Sequence, residues 1–210
     1  MYTNDLYEIK KDCIKKLSKI SAQAFSDYIT WKQIVPDKER RIKFLEILYF
    51  SLITYGIKYG KVYSTSENFE GFAIWINEKD SNLSLLKLIK SHALSLSTLK
   101  IFNVCSLKQM KRFTNLINQM NVSHNKFEYP NSSMYLLSIA VDEKHRNKGF
   151  ASKLLKPMLK EFDITNKGCY LETGSTINIE IYKHFGFELL ENLINTANNS
   201  NIYYMYRSPQ

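Results

Sequence analysis

The segment Arg146-Asn147-Lys148-Gly149-Phe150-Ala151 joins an apolar run, residues 134 to 141, to a run in which Ala151, Leu154, Leu155, Met158, Leu159 and Phe162 recur on one helical face. The first N–H groups of a helix have no intrahelical partner, and the aligned peptide dipoles make that end partly positive. A phosphate or diphosphate can be held there by backbone amides, provided the chain approaches closely. Gly149 permits the approach, small Ala151 leaves the helix start uncrowded, and Lys144, Arg146, Lys148 and Lys153 add positive charge. Two other sets of polar residues follow. Asn178 and Tyr182 are four apart and share one face of a short helix, with Ile177, Ile181 and Phe185 on another face as core anchors. Tyr170 and Glu172 alternate along Gly168 to Thr173 and share one face of a strand.

These residues need elements to hold them. Periodicity predicts a helix over residues 8 to 29, with Ile14, Leu17, Ile20, Ala24 and Phe25 inward. Pro36-Asp37 opens a second helix that ends near Gly56 to Gly60. Val62 to Thr65 and Gly71 to Asn77 read as a strand hairpin. Residues 81 to 123 read as helical again. There Ser106 and Gln109 fit a capping box, and Leu107, Met110, Phe113, Ile117 and Met120 form a stripe. Residues 125 to 133 read as a loop. The run 134 to 141 is apolar on both faces apart from Ser138, so it belongs inside a sheet. The following helix carries Pro157, where a bend is expected. The C-terminal half reads β-α-β-α-β-β, ending in strands at Phe187 to Glu191 and Ile202 to Arg207. With no repeat and no composition break, residues 1–210 are expected to form one domain. Within it, residues at about 134–191 carry the phosphate-grip pattern and the polar sets, and the region at about 8–123 is mainly helical.

Composition narrows the classes. The chain has 210 residues, 44% hydrophobic and 23% charged, which is ordinary for a packed globular protein. No run approaches the roughly 18 apolar residues of a membrane span, and the N-terminus lacks a signal-peptide pattern. A soluble cytoplasmic protein is the expectation. The 3 cysteines and 4 histidines lack metal-ligand spacing, so no metal is expected. The net charge of +9 is spread along the chain, with no nucleic-acid-binding motif.

The turn does not stand alone. Val141-Asp142 precedes it, a helix follows, and Asn178...Tyr182...Phe185-Gly186-Phe187 lies downstream. Together these resemble the GNAT superfamily of N-acetyltransferases, with its Q/R-x-x-G-x-G/A acetyl-CoA motif and later N-x-x-x-Y-x-x-x-G-F element. The resemblance is specific over residues 134 to 191 and weak before about residue 60. The PDKERR and GFAIW segments look like the subset containing puromycin-type enzymes. Glu143 stands where the family often has proline, and Ala151 takes the less common small option.

The resemblance implies an α/β (α+β) fold with a mixed, mostly antiparallel central sheet, flanking helices and two splayed parallel strands, 134 to 141 and 168 to 174. It implies acetyl-CoA as acetyl donor. Backbone groups of the Ile139-Ala140-Val141 stretch would pair with the pantetheine arm, and amides from Arg146 to Ala151, thus Asn147, Lys148, Gly149 and Phe150 as well, would hold the diphosphate. Asn178 would touch the cofactor, and Tyr182 would protonate the departing thiolate; its alternative is a buried tyrosine satisfied by a backbone carbonyl. Glu172 is the candidate general base, with a structural carboxylate as its alternative. Glu70 and Trp75 are weaker substrate-side candidates, core packing being favoured for Trp75, and Cys169 reads as a small core residue. The expected reaction is direct acetyl transfer in a ternary complex to a primary amine of a small molecule. Alternatives are a protein or peptide acceptor and a non-catalytic acyl-CoA-binding module. A homodimer is consistent with this fold; nucleic-acid and membrane partners are not expected.

Overall fold

A computed structural model of the chain describes residues 5–83, 87, 90, 100–124, 133–195 and 200–210. Its centre is a seven-stranded sheet. The strands are β1 (Tyr7–Glu8), β2 (Gly60–Ser64), β3 (Gly71–Asn77), β4 (Met134–Val141), β5 (Cys169–Thr173), β6 (Glu188–Asn195) and β7 (Ser200–Arg207). They lie in the order β1-β2-β3-β4-β5-β7-β6, antiparallel throughout except for the parallel pair β4 and β5. The helices are α1 (Ile14–Phe25), α2 (Ile29–Ile34), α3 (Lys38–Tyr59), α4 (Ile101–Val104), α5 (Leu107–His124), α6 (Phe150–Ile164) and α7 (Thr176–His184). This is the mixed α/β arrangement expected from the sequence.

Each face of the sheet carries its own packed layer. Along β3, Phe72, Ile74 and Ile76 join Leu17, Phe44, Leu45 and Ile53 of α1 and α3. Ala73 and Trp75 point the other way, into Leu154, Leu155, Met158 and Phe162 of α6. Trp75 is fully buried, its ring 5.1 Å from that of Phe162 in an edge-to-face contact. Core packing accounts for it, since burying a large apolar side chain contributes about 1.5–3 kcal/mol.

The single helix expected over residues 8 to 29 is broken. Glu8 pairs with Tyr63 of β2, and the Ile9 N–H donates to the Val62 carbonyl at 2.8 Å. Pairing with the sheet thus overrides helical periodicity there. Regular helix begins only at Ile14, after a 3-10 turn over Lys11–Cys13. A second break falls at Tyr28, whose backbone is extended before α2. Arg41, nearly fully buried, spans this corner. Its guanidinium donates to the carbonyls of Ser26 (2.7 Å), Val35 (2.9 Å) and Pro36 (2.6 Å). A buried cation satisfied by three carbonyls fixes how α1, α2 and α3 meet.

Asp37 caps α3 by accepting from the Arg40 N–H at 2.8 Å. The capping box before α5 forms in both directions: Ser106 N–H donates to Gln109 Oε1 at 2.8 Å, and Gln109 N–H to Ser106 Oγ at 3.3 Å. In α5, Leu116 is buried and Met110, Phe113, Ile117 and Met120 are half-buried, whereas Leu107, at the first turn, is 82% exposed and leaves the predicted stripe. Part of the predicted 81 to 123 helical stretch, residues 84–86, 88–89 and 91–99, and residues 125–132 of the predicted loop lie outside the described residues. Helix α6 runs through Pro157 from Phe150 to Ile164. Among the described residues, no helix is long and apolar enough to cross a membrane.

Candidate functional site

Two irregularities open the middle of the sheet. β4 and β5 pair only at Met134–Cys169 and Tyr135–Tyr170, so the strands part beyond Tyr135. On its other edge β4 carries a bulge. Ile74 pairs with Ser138 and Trp75 with Leu136, which leaves Leu137 without a partner on β3. The β5-facing edge of β4 from Leu136 to Val141 is therefore backbone with no strand paired to it.

The turn after β4 is held from within. Asp142 N–H donates to the Glu70 carbonyl, and the Asp142 carboxylate accepts from the Lys144 N–H at 3.0 Å. Asn147 (φ 62°) and Gly149 (φ 77°) both adopt left-handed backbone, which brings the chain into the start of α6. A methyl group built on Gly149 would meet nothing within 4 Å, so the space beside it is open. No side chain caps α6. Its first amides are thus left for solvent or a ligand, and an uncapped positive helix end beside open space suits a diphosphate. Lys144, Arg146, Asn147, Lys148 and Lys153 are exposed. The Arg146 side chain is nevertheless engaged, its Nη2 donating to the Ala24 carbonyl at 3.1 Å. That bond ties the turn to the end of α1. Phe150 is half-buried, between His145 and the Lys153 ammonium.

A cavity of about 780 Å³ runs from this region through the gap between the strands. Ile139, Val141, Ala151, Leu155, Leu171, Asn178 and Tyr182 line it on the side of α6 and α7. Beyond the sheet it continues among α1, α2, α3 and α5. Of the predicted cofactor residues, Ile139, Val141, Ala151 and Asn178 line the cavity. Arg146, Asn147, Lys148, Gly149 and Phe150 stand outside it, next to Ala151. Ala140 faces away: it is 5% exposed and packs in the layer with α1 and α3, so only its backbone is available to the gap.

Asn178 and Tyr182 both reach the cavity from α7. Asn178 Nδ2 donates to Thr173 Oγ1 at 3.1 Å, which orients the amide. Tyr182 is buried, with its ring edge-to-face on Phe187 at 5.7 Å. Burial pushes its phenol well above the ordinary tyrosine value, and nearby Tyr28 adds to this. The group stays a neutral O–H donor across the physiological range. Of the predicted anchors of α7, Phe185 packs against the α6-side layer, but the two isoleucines do not. Ile177 (74% exposed) and Ile181 (44%) lie outside the core, and Ile179 replaces them. The short helix presents Asn178, Ile181 and Tyr182 to the cavity on one i, i+3, i+4 face, so Ile181 belongs with the polar pair.

Glu172 projects from β5 into the same cavity. Its Oε2 accepts a hydrogen bond of 2.6 Å from the Tyr135 hydroxyl, and the Tyr135 and Tyr170 rings stack at 4.8 Å. Burial pushes the Glu172 carboxyl up to about 8, against the opposing pull of the Tyr135 hydrogen bond and of its own backbone N–H. A carboxylate so raised is a stronger base than an exposed one, and much closer in strength to an amine. The other candidates belong elsewhere. Glu70 accepts from the Thr65 and Ser66 hydroxyls at 2.8 Å each, within the β2–β3 hairpin. Cys169 is fully buried in the α6 layer, and burial pushes its thiol up, away from thiolate character.

Several site residues were not singled out by their sequence pattern. Tyr135 sits within an apolar run and shows its role only once the β4–β5 register sets it beside Tyr170 and near Glu172. Thr173 shows its role only through Asn178. Tyr28, Tyr49 and Ser138 come from three distant segments that meet in the cavity wall; Tyr28 lies close to both Tyr49 and Tyr182.

Residues 117–189 match the family described as acetyltransferase (GNAT) domain. That stretch covers β4, the turn, α6, β5 and α7. An uncharacterized N-acetyltransferase of Schizosaccharomyces pombe is 25% identical over 193 residues, 91% of this chain and 77% of the relative. The solved histone acetyltransferase and related acetyltransferase of Corynebacterium glutamicum has a TM-score of 0.63 at 16% identity, covering 98% of this chain and 96% of its own. Arylalkylamine N-acetyltransferase 2 of Aedes aegypti has a TM-score of 0.62 at 13% identity, covering 98% of each chain. The turn, the parted strands and the helix of Asn178 and Tyr182 all fall within the matched stretch, so residues 117–189 carry an acetyltransferase (GNAT) domain, within a chain whose fold is that of the solved acetyltransferases.

Proposed function

We propose that this protein is an N-acetyltransferase that passes the acetyl group of acetyl-CoA to a primary amine of a small molecule, by direct attack in a ternary complex, with residues 1–210 acting as one catalytic domain. One observation carries the reading: a single cavity crosses the sheet between β4 and β5, with Tyr182 on one side and Glu172 on the other. GNAT acetyltransferases generally use acetyl-CoA, which supplies a thioester-activated acetyl group. The start of α6, from Arg146 through Asn147, Lys148, Gly149 and Phe150 to Ala151, binds its diphosphate through backbone amides. The unpaired edge of β4 at Ile139 and Val141 lines up the pantetheine arm as an added strand would. Asn178, held by Thr173, contacts the same arm.

Proton movement falls to two side chains. An ammonium group loses two protons on becoming an amide. Glu172 takes one and passes it to solvent, freeing the nitrogen lone pair. The other balances the proton that Tyr182 gives to the thiolate sulfur, which leaves as a thiol. The N–H groups of β4 near Ile139 to Val141 stabilise the negative charge that develops on the carbonyl oxygen. Incubation of the full chain with acetyl-CoA and a panel of amines, with free thiol and acetylated product both measured, tests this reading. Release of thiol matched by acetylated amine is expected, and failure to bind acetyl-CoA would overturn it.

A further inference from the structure

The acceptor end of the cavity has a chemistry of its own. Strands β3 and β4 are antiparallel neighbours, with Asn77 opposite Met134, a pairing that a short hairpin can join. Residues 78–133 intervene instead and bring α5 against α2 and α3. The far end of the cavity lies here, walled by Trp31, Leu48, Met110, Phe113, Ile117 and Met120. Two of its rings, Trp31 and Phe113, lie 6.5 Å apart, and buried Phe44 backs both, 5.3 Å from Phe113 and 6.0 Å from Trp31. Nearer the sheet, Phe25 stacks on Tyr49 at 5.0 Å.

Charge is as informative as shape. Among the described residues lining the cavity, Glu172 is the sole side chain that ionises as an acid or base in the ordinary range. No lysine, arginine, histidine or aspartate joins it. One carboxylate can meet one ammonium. Among the described lining residues, a second cation on the acceptor would face aromatic and aliphatic walls with no counter-ion, and an acceptor carboxylate would find no cation. Either would have to shed its hydration without compensation.

We propose that the acceptor is an apolar monoamine: a primary amine on an aryl or alkyl body with no second charge. Its body is seated against Trp31, Phe113 and Met120, and its nitrogen is directed toward Glu172. The inference rests on the acetyl-transfer reading above. In the reaction the amine nitrogen forms a bond to the acetyl carbon and the carbon–sulfur bond of the thioester breaks. One ammonium proton leaves through Glu172, the thiol departs with the proton given by Tyr182, and the second nitrogen proton restores the tyrosine hydroxyl.

The test is turnover of acetyl-CoA by the full chain over primary amines of two kinds. One set holds phenylalkyl and straight-chain alkyl monoamines; the other holds polyamines, aminoglycosides, amino acids and a lysine peptide. The expected result is a kcat/KM at least about tenfold higher for the apolar monoamines, the scale on which hydrophobic pockets discriminate. Phe113→Ala should raise KM for those amines while leaving KM for acetyl-CoA unchanged, which also reports that the variant is folded. Ile117→Asp, which places a second carboxylate in the apolar wall, should shift relative kcat/KM toward diamines.

Preference for a polyamine, an aminoglycoside or the lysine peptide would overturn the inference while acetyl transfer stood. Preference for a long-chain acyl-CoA together with a small hydrophilic amine would overturn it too, since the apolar end would then hold the acyl chain. Absence of acetyl-CoA binding would remove the acetyl-transfer reading and the inference together.

Discussion

If Glu172 is the general base, the pH dependence of kcat/KM carries its signature. The active form is the carboxylate, and burial holds this group near pH 8. About one-tenth of it is ionised at pH 7 and about nine-tenths at pH 9. For an enzyme that binds the ammonium form of its acceptor, kcat/KM should rise roughly ninefold between those values, bend near pH 8, and fall above the pKa of the amine at about 10. An enzyme without a base, waiting for free amine, gives a different curve that climbs to the amine pKa with no bend at 8. Stopped assays of thiol release from pH 6 to 11, with two amines of different pKa, separate the cases. The lower bend stays in place when the amine is changed and disappears in Glu172→Gln. A bend that moves with the amine, or survives in Glu172→Gln, would refute the role of Glu172. The same shift has a consequence for stability. The folded-state value lies above the ordinary 4.5, so the folded chain favours the protonated group. Its contribution is complete below pH 4.5 and lost as pH rises through 8. Thermal melting between pH 6 and 9 should show a fall in Tm that is smaller in Glu172→Gln.

Two substitutions test the surroundings. Tyr135→Phe removes the 2.6 Å hydrogen bond that stabilises the Glu172 carboxylate, so the lower bend should move upward by about one pH unit or more; an unmoved bend would show that the hydroxyl does not tune this group. Gly149→Ala places a methyl group in the open space beside α6 and forces alanine into a left-handed backbone, at a cost of about 1–2 kcal/mol. It should raise KM for acetyl-CoA and lower Tm, with little change in kcat at saturation, and titration with acetyl-CoA checks this.

The elements that build the proposed cofactor half were legible because they are local. The strand, turn, helix and following strand–helix unit are each set by short-range periodicity and one glycine, and all lie between residues 134 and 191. The opposite half is assembled from distant segments, and pattern alone does not bring them together. Residues 8 to 13 carry a helical pattern yet join the sheet edge and a 3-10 turn, because pairing with β2 satisfies more backbone groups than an isolated first turn would. Arg41 reads as one charge in a basic run, but it is buried on three carbonyls from two turns. On α7 the hydrophobic types of Ile177 and Ile181 suggested anchors. A short helix at the edge of a cavity exposes them, and Ile179 and Tyr182 do the packing. Glu172 was readable as a strand residue on the face of Tyr170; its raised pKa depends on Tyr135 and on burial, which are tertiary facts.

The most direct measurement is steady-state turnover of Tyr182→Phe beside the wild type, with acetyl-CoA affinity determined in parallel by titration. Tyr182 is buried, lines the cavity and keeps its proton, and the phenylalanine ring preserves its packing on Phe187. The account predicts unchanged affinity for acetyl-CoA and a kcat lowered by about 10²- to 10⁴-fold, the usual contribution of a positioned acid. Equal turnover by the two proteins would contradict it.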